Sequence, residues 1–336
     1  MSGNSGPGPY SDKSTAPVAD PHWTNHSALP RVAALFPQPE VPMASDQLLR
    51  FVFDGTDVRG EIITLEQSYQ GVLATGNYPA AIAALLGETL AAAGLLSATM
   101  KFDGILTLQA RGDGALSLLM ADCTRQHQLR GIARLRPDTH WAELAAGPGD
   151  LRQLLGQAHL AITIDPANGE RYQGIVPLES ATLAGCIEAY FRQSEQLPTR
   201  LWLFADGTRA GGLLLQGLPL QQQSQEQRDL YWQHLAVLGD TLTSEEFLAA
   251  DSQTILTRLF HQEQVRLFDP TAMAFACSCS RDRTAAMLAS LGEAEVRQLL
   301  AEQGLVDVQC QFCDQQYRFD GVEVDAIFNP EIKTLH

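Results

Sequence analysis

The sequence predicts an α+β fold in three parts: an N-terminal domain with a largely antiparallel sheet plus helices, a helical linker, and a small C-terminal module organised by cysteines. Three observations lead there. Short apolar runs between residues 46 and 220 alternate with turn residues, among them Arg111-Gly112-Asp113-Gly114 and Asp206-Gly207, which is a hairpin signal. The next 40 or so residues place apolar side chains at helical spacing. Finally, four of the six cysteines fall into two tight pairs, Cys277-Ser278-Cys279 and Cys310-Gln311-Phe312-Cys313, inside one 37-residue window. Two thiolate pairs can clamp one ion from two sides, so the tail reads as a four-cysteine zinc module.

In chain order, residues 1–42 carry eight of the 17 prolines and little apolar periodicity, and read as a disordered extension with Met43 as an alternative start. The α+β core spans 46–220. Residues 48–52 and 58–65 read as strands. Pro79 opens an alanine- and leucine-rich helix that runs to about 96, a good position for proline. Strands are expected at 105–110, 115–121, 129–135 and 160–164. A helix at 182–193 sets Leu183, Ile187, Tyr190 and Phe191 on one face. Strands 201–204 and 212–218 close a second hairpin.

A glutamine-rich break at 221–227 leads into the helical linker region, 225–268. Its apolar positions include Leu230, His234, Leu235, Leu238, Phe247, Leu248, Ile255, Leu259 and Phe260, and Thr243-Ser244 with Glu246 has capping-box spacing. It reads either as an ordinary helical subdomain or as a conditional linker whose apolar face is hidden only while the tail is folded. In the module, 271–330, residues 285–291 and 293–303 look helical, with Gly304 as a C-cap.

Cys277, Cys279, Cys310 and Cys313 are the candidate metal ligands, for one Zn²⁺ per chain in the reduced state. Four cysteine ligands leave no open position for water or substrate, so the site is not a zinc hydrolase centre. Paired thiols also have a second stable state. Oxidation can join Cys277 to Cys279 and Cys310 to Cys313, and a disulfide cannot serve as a thiolate ligand. If the module folds only around its metal, losing the metal unfolds it. Either a purely structural zinc or a redox switch fits this chemistry.

Composition excludes several classes. The net charge is −16 and the only lysines are Lys13, Lys101 and Lys333, which disfavours nucleic acid and anionic membranes as partners. Residues 271–336 hold five Arg/Lys against ten Asp/Glu, unlike a basic nucleic-acid ribbon. No run of about 18 apolar residues and no signal peptide is apparent. Paired thiols that must stay reduced argue for a cytoplasmic location. No phosphate-binding G-x-x-x-x-G-K-[S/T] motif, G-x-S-x-G elbow or H-E-x-x-H occurs, so no catalytic residue is assigned. Cys186 reads as a core residue; Cys123 follows a strand and is expected to be partly exposed.

Cys277-Ser278-Cys279-Ser280-Arg281 followed by Cys310-Gln311-Phe312-Cys313 resembles the zinc module of the redox-regulated 33 kDa chaperonins, the heat-shock protein 33 family. Gly112-Asp113-Gly114 with Ala121-Asp122, the run from Tyr172 to Glu179, Tyr190-Phe191 with the run from Ser194 to Thr199, and Tyr317-Arg318-Phe319 extend the resemblance over about 46–328. The N-terminal extension departs from it. The resemblance implies an ATP-independent holdase of the bacterial cytosol, not an enzyme. In the reduced state zinc on Cys277, Cys279, Cys310 and Cys313 keeps it inactive. Under oxidative and heat stress, disulfides 277–279 and 310–313 form, zinc leaves, module and linker loosen, and unfolding client proteins bind, with a homodimer as the active form. The competing expectation is a constitutive protein-interaction module with a structural zinc, and a third is an enzyme seated in the 46–220 domain.

Overall fold

The computed structural model describes residues 46–100, 103–137, 139–140 and 150–329; the predicted extension 1–42 lies outside the described residues. The first hairpin pairs β1 (Gln47–Phe53) with β2 (Val58–Leu65). Helices α1 (Gln67–Leu73) and α2 (Ala80–Thr99) follow, and the Asp46 carboxylate accepts the backbone N–H groups of Glu66, Gln67 and Ser68 at the start of α1. Then come β3 (Gly104–Gly112), β4 (Leu116–Thr124), β5 (Gln128–Leu135), α3 (Leu151–Leu155), β6 (Ala158–Pro166), β7 (Tyr172–Pro177) and α4 (Leu183–Tyr190). Strands β8 (Thr199–Ala205) and β9 (Ala210–Gly217) form the second predicted hairpin. Its turn holds Gly207 at φ +88°, while the Asp206 carboxylate accepts the N–H groups of Thr208 and Arg209.

The remaining elements are α5 (Gln225–Asp240), α6 (Ser244–Ala249), α7 (Ser252–Leu259), β10 (Val265–Leu267), β11 (Thr271–Ala272), β12 (Ala274–Phe275), α8 (Arg281–Leu291), α9 (Glu293–Gln303), β13 (Val306–Gln309), β14 (Gln316–Phe319) and α10 (Gly321–Phe328). One sheet has the order β10-β1-β2-β9-β8, with β11 also on β1; a second has the order β12-β5-β4-β3-β6-β7; β13 and β14 pair alone. Every pairing is antiparallel except β12 with β5. This is the α+β architecture with antiparallel sheets that the hairpin signals predict.

Helix α2 lies between the two large sheets. Leu86, Leu90, Leu95 and Leu96 pack with Ile63, Leu65 and Leu214 on one side and Leu106, Leu108 and Leu119 on the other. A helix that is apolar all round needs such cover. It corrects the expectation that no long apolar run exists: α2 has the length and composition to cross a membrane, but 78% of that stretch is buried in the protein. Gly87 makes the fit possible, since a Cβ there would come within 2.8 Å of Ala205 and Tyr69.

The outer face of the first sheet is covered by α5, α6 and α7. Leu49, Phe51, Phe53, Val58, Ile62, Leu213 and Leu215 meet Leu235, Phe247, Ile255, Leu256, Leu259 and Phe260. Gly239 lets α5 approach the Trp202 ring, which a Cβ would meet at 2.4 Å. Leu230, read as part of the apolar face, is instead 63% exposed. Helix in the linker region, expected over 225–268, stops at Leu259, because Val265–Leu267 pairs with β1 as β10. The helix expected over 182–193 ends in a π-helical turn, Phe191–Glu195, that carries Glu195 to the hydroxyl of Tyr190 at 2.8 Å.

Candidate metal centre

β12 ends two residues before Cys277, and the chain passes Cys279 directly into α8. That helix starts on Ser280, whose hydroxyl accepts the Arg283 N–H. The second pair occupies the turn between β13 and β14. Cys310 donates its N–H to the Gln315 carbonyl and accepts from Asp314 N–H, with Asp314 at φ +62°. This tight turn folds the second motif so that its two thiols face one point.

The four Sγ atoms lie within 4.8 Å of one another. Cys277 and Cys310 are separated by 3.6 Å, and Cys279 and Cys313 by 3.3 Å. Sulfurs on a tetrahedral zinc with bonds of about 2.3 Å sit roughly 3.8 Å apart, so the cluster fits one such ion with small adjustment. All four predicted ligands are therefore brought together, and they could hold a metal ion. Both of these close approaches run between the two motifs.

The surroundings favour negative charge on one sulfur. Burial pushes the Cys277 thiol up, but the Cys279 backbone N–H and the neighbouring thiols outweigh it and hold Cys277 down at about 7. Burial pushes Cys310 and Cys313 up; neighbouring thiols add to the rise at Cys313, whereas at Cys310 the rise from Cys277 is opposed by Cys313. One thiolate thus forms readily, while four in this volume require a cation. The Tyr317 hydroxyl donates to Cys279 Sγ at 3.1 Å, which raises the phenol to about 12. Arg281 lies 4.5 Å over the Phe319 ring and donates to the Arg318 carbonyl and to Glu323, binding the first motif to β14 and α10.

The module has little else to hold it. Its apolar core among the described residues is Leu288, Val296, Val306, Phe319 and Val324. Five buried side chains are a small core for a unit of this length, and a metal crosslink is the usual supplement. The other two cysteines are remote in role: Cys186 is buried as expected, whereas Cys123 is fully buried within β4, not partly exposed. Sequence reasoning missed Arg130 of β5, whose guanidinium also reaches the cluster from 147 residues away. No local spacing could have announced it.

A family model described as Hsp33 protein matches residues 46–320. The 33 kDa chaperonin of Pseudomonas aeruginosa strain PAO1 is 52% identical over 286 residues, 84% of this chain and 95% of that one. The 33 kDa chaperonin of Azotobacter vinelandii is 54% identical over 281 residues, 83% of this chain and 93% of its own length. The crystal structure of the Thermotoga maritima 33 kDa chaperonin superposes with a TM-score of 0.72 at 19% identity, covering 85% of this chain and 99% of that one, and shows the same fold. With more than four-fifths of its length matched by both a family model and close relatives, this chain belongs to the Hsp33 family of 33 kDa chaperonins.

Proposed function

We propose that this chain is an ATP-independent holdase held inactive by a reduced, zinc-loaded Cys277–Cys279–Cys310–Cys313 centre and switched on by oxidation. Membership in a chaperonin family supports a chaperone function. The observation that carries the finer reading is the cluster of four sulfurs within 4.8 Å, closing a module whose own apolar cluster holds five buried side chains among the described residues. A bound Zn²⁺ would supply folding free energy on the order of 10 kcal/mol to such a module.

The chain's own residues do the rest. A thiolate of the cysteine cluster attacks peroxide first. The resulting sulfenic acid is captured by a neighbouring thiol, so each pair of thiols and one peroxide give one disulfide and two waters. We assign the disulfides to 277–279 and 310–313; because sulfurs of different motifs also lie 3.3–3.6 Å apart, peptide mapping of the oxidised protein decides the pairing. Disulfides no longer offer thiolate ligands, so the module loses its crosslink and loosens. The parts act as a 46–220 core, a 225–268 helical linker and a 271–330 switch module. Release of the helices uncovers the Phe51, Phe53, Leu213 and Leu215 face to unfolding clients, and a second uncovered copy can pair with it as a homodimer. The thiol chemistry suits the cytoplasm, and the −16 charge argues against nucleic acid as a partner.

The test measures metal stoichiometry before and after peroxide with mild heat, alongside suppression of client aggregation. About one zinc per chain should be released as suppression appears. Suppression unchanged by oxidation would leave the constitutive interaction module with a structural zinc as the surviving reading.

A further inference from the structure

Asp122 and Arg130 face each other across β4 and β5. Asp122 is buried, and its two oxygens are fully engaged. Oδ1 accepts the Thr107 hydroxyl at 2.6 Å, and Oδ2 accepts both Nε and Nη2 of Arg130 at 2.7 Å. A carboxylate gripped in this way fixes the guanidinium plane. The third nitrogen, Nη1, then points away from the sheet. It donates to the Ser278 hydroxyl at 2.9 Å and lies 3.8 Å from Cys277 Sγ. The flat face of the same group sits 4.3 Å over the Phe312 ring. One side chain of the core sheet thus touches the first cysteine motif through Ser278 and Cys277, and the second through Phe312.

We propose that Arg130 is the clasp that seats the cysteine module on the core: a guanidinium fixed by buried Asp122 holds both cysteine motifs at once. The backbone alone does not suffice. Next to Arg130 the module's leading strand is tied to β5 by a two-residue parallel ladder, flanked by bonds from Ala274 N–H to the His127 carbonyl at 3.1 Å and from Ala276 N–H to the Leu129 carbonyl at 3.0 Å. A two-residue parallel strand is marginal by itself. The fork and the stacked face of Arg130 add a charge-assisted bond and a cation–π contact at the same spot. Because the contact is made to folded motifs, it orients the cluster towards the core without being one of its ligands. It holds whether or not the cysteines respond to oxidants.

Amide exchange on the reduced, zinc-loaded full chain tests this. In R130Q, residues 272–280 should exchange about tenfold faster, while β13 and β14 keep their protection and zinc content stays at the wild-type value. R130K keeps the charge but neither the fork nor the flat face, and should recover only part of the protection. Removing Arg130 also strips Asp122 of its partner, so F312A, which cuts the stacking from the module side, provides an independent arm. It should speed exchange at 272–280 in the same direction but less. If R130Q loosens β4 and β5 but leaves 272–280 unchanged, Arg130 is only an ion pair within the sheet. Full rescue by R130K, or no effect of F312A on that segment, likewise overturns the proposal.

Discussion

Phe260 is the best single place to separate the helical cover from the sheet beneath it. It is 2% exposed, and its ring stands edge-on to Phe53 at 5.1 Å and tilted against Phe51 at 6.1 Å. Phe53 in turn meets Tyr231 of α5 at 5.9 Å. Phe260→Ala removes this link between α7 and β1. Burying a phenylalanine and then truncating it costs about 3–5 kcal/mol, of which the two aromatic contacts account for roughly 1–3. If that loss falls on the cover alone, its open state rises by about a thousandfold, at roughly 1.4 kcal/mol per tenfold. The assay is peptide-resolved hydrogen exchange of the reduced, zinc-loaded variant, paired with suppression of a client's aggregation in the absence of peroxide. Residues 225–260 should exchange far faster while β13–β14 and the zinc are retained, and suppression should appear without oxidant. Two results refute the reasoning. A drop in overall melting temperature with no selective opening means that the helices and the core are one cooperative unit. Selective opening with no suppression means that the face under the helices does not bind clients.

Three further outcomes follow from the site and the core. Cys310→Ser leaves three sulfur ligands, so zinc affinity should fall by several orders of magnitude and β13–β14 should lose protection while β2 and β9 keep theirs, as read by metal titration and exchange. A strong chelator added to reduced wild-type protein should erase the helical signal of α8–α10 reversibly, with zinc restoring it; a module that stays folded without metal would refute a metal-held module. Burial lifts the half-buried Glu88 carboxyl from its ordinary 4.5 to about 7. The folded state therefore binds the extra proton between those values, and stability falls as pH rises through 4.5 to 7 and stays reduced above it. Glu88→Gln should relieve that penalty, stabilising the protein by about 1–2 kcal/mol above pH 7 once solvent screening is allowed for, with the gain vanishing below pH 4.5 in thermal melts.

Much of this was legible because it is local. The Asp206-Gly207 turn, the Pro79 helix start and the two cysteine pairs each announce themselves within a few residues. Other features depend on what lies opposite. Cys123 ends a strand in sequence, yet Ser97 of α2 reaches its sulfur and the layer above buries it. Leu230 has helical spacing with His234 and Leu238, but it falls on the outward stripe of α5. Residues 265–275 carry no alternation long enough to mark a strand, and their two- and three-residue strands exist only because β1 and β5 offer open edges. Arg130 belongs to the site through a separation of 147 residues, a distance no periodicity spans.

That stitched segment sets the order in which the molecule should open. β12 lies on β5, β11 on the start of β1, and β10 on the end of β1, with Phe268 N–H bonded to the Arg50 carbonyl and Met273 N–H to the Asp46 carbonyl. Each ladder is two or three residues long and half exposed, so each is weak once its neighbour is lost. Phe260 and α7 come just before β10, so the cover is the last piece in this line. Exchange followed after peroxide should therefore rise first at 274–279, then at 265–272, then in α5–α7, with β2 and β9 protected throughout. The trigger sits in the cysteine centre only if this order holds. Opening of α5–α7 before 274–279 would place it in the helices, and the cysteines would then report a change that began elsewhere.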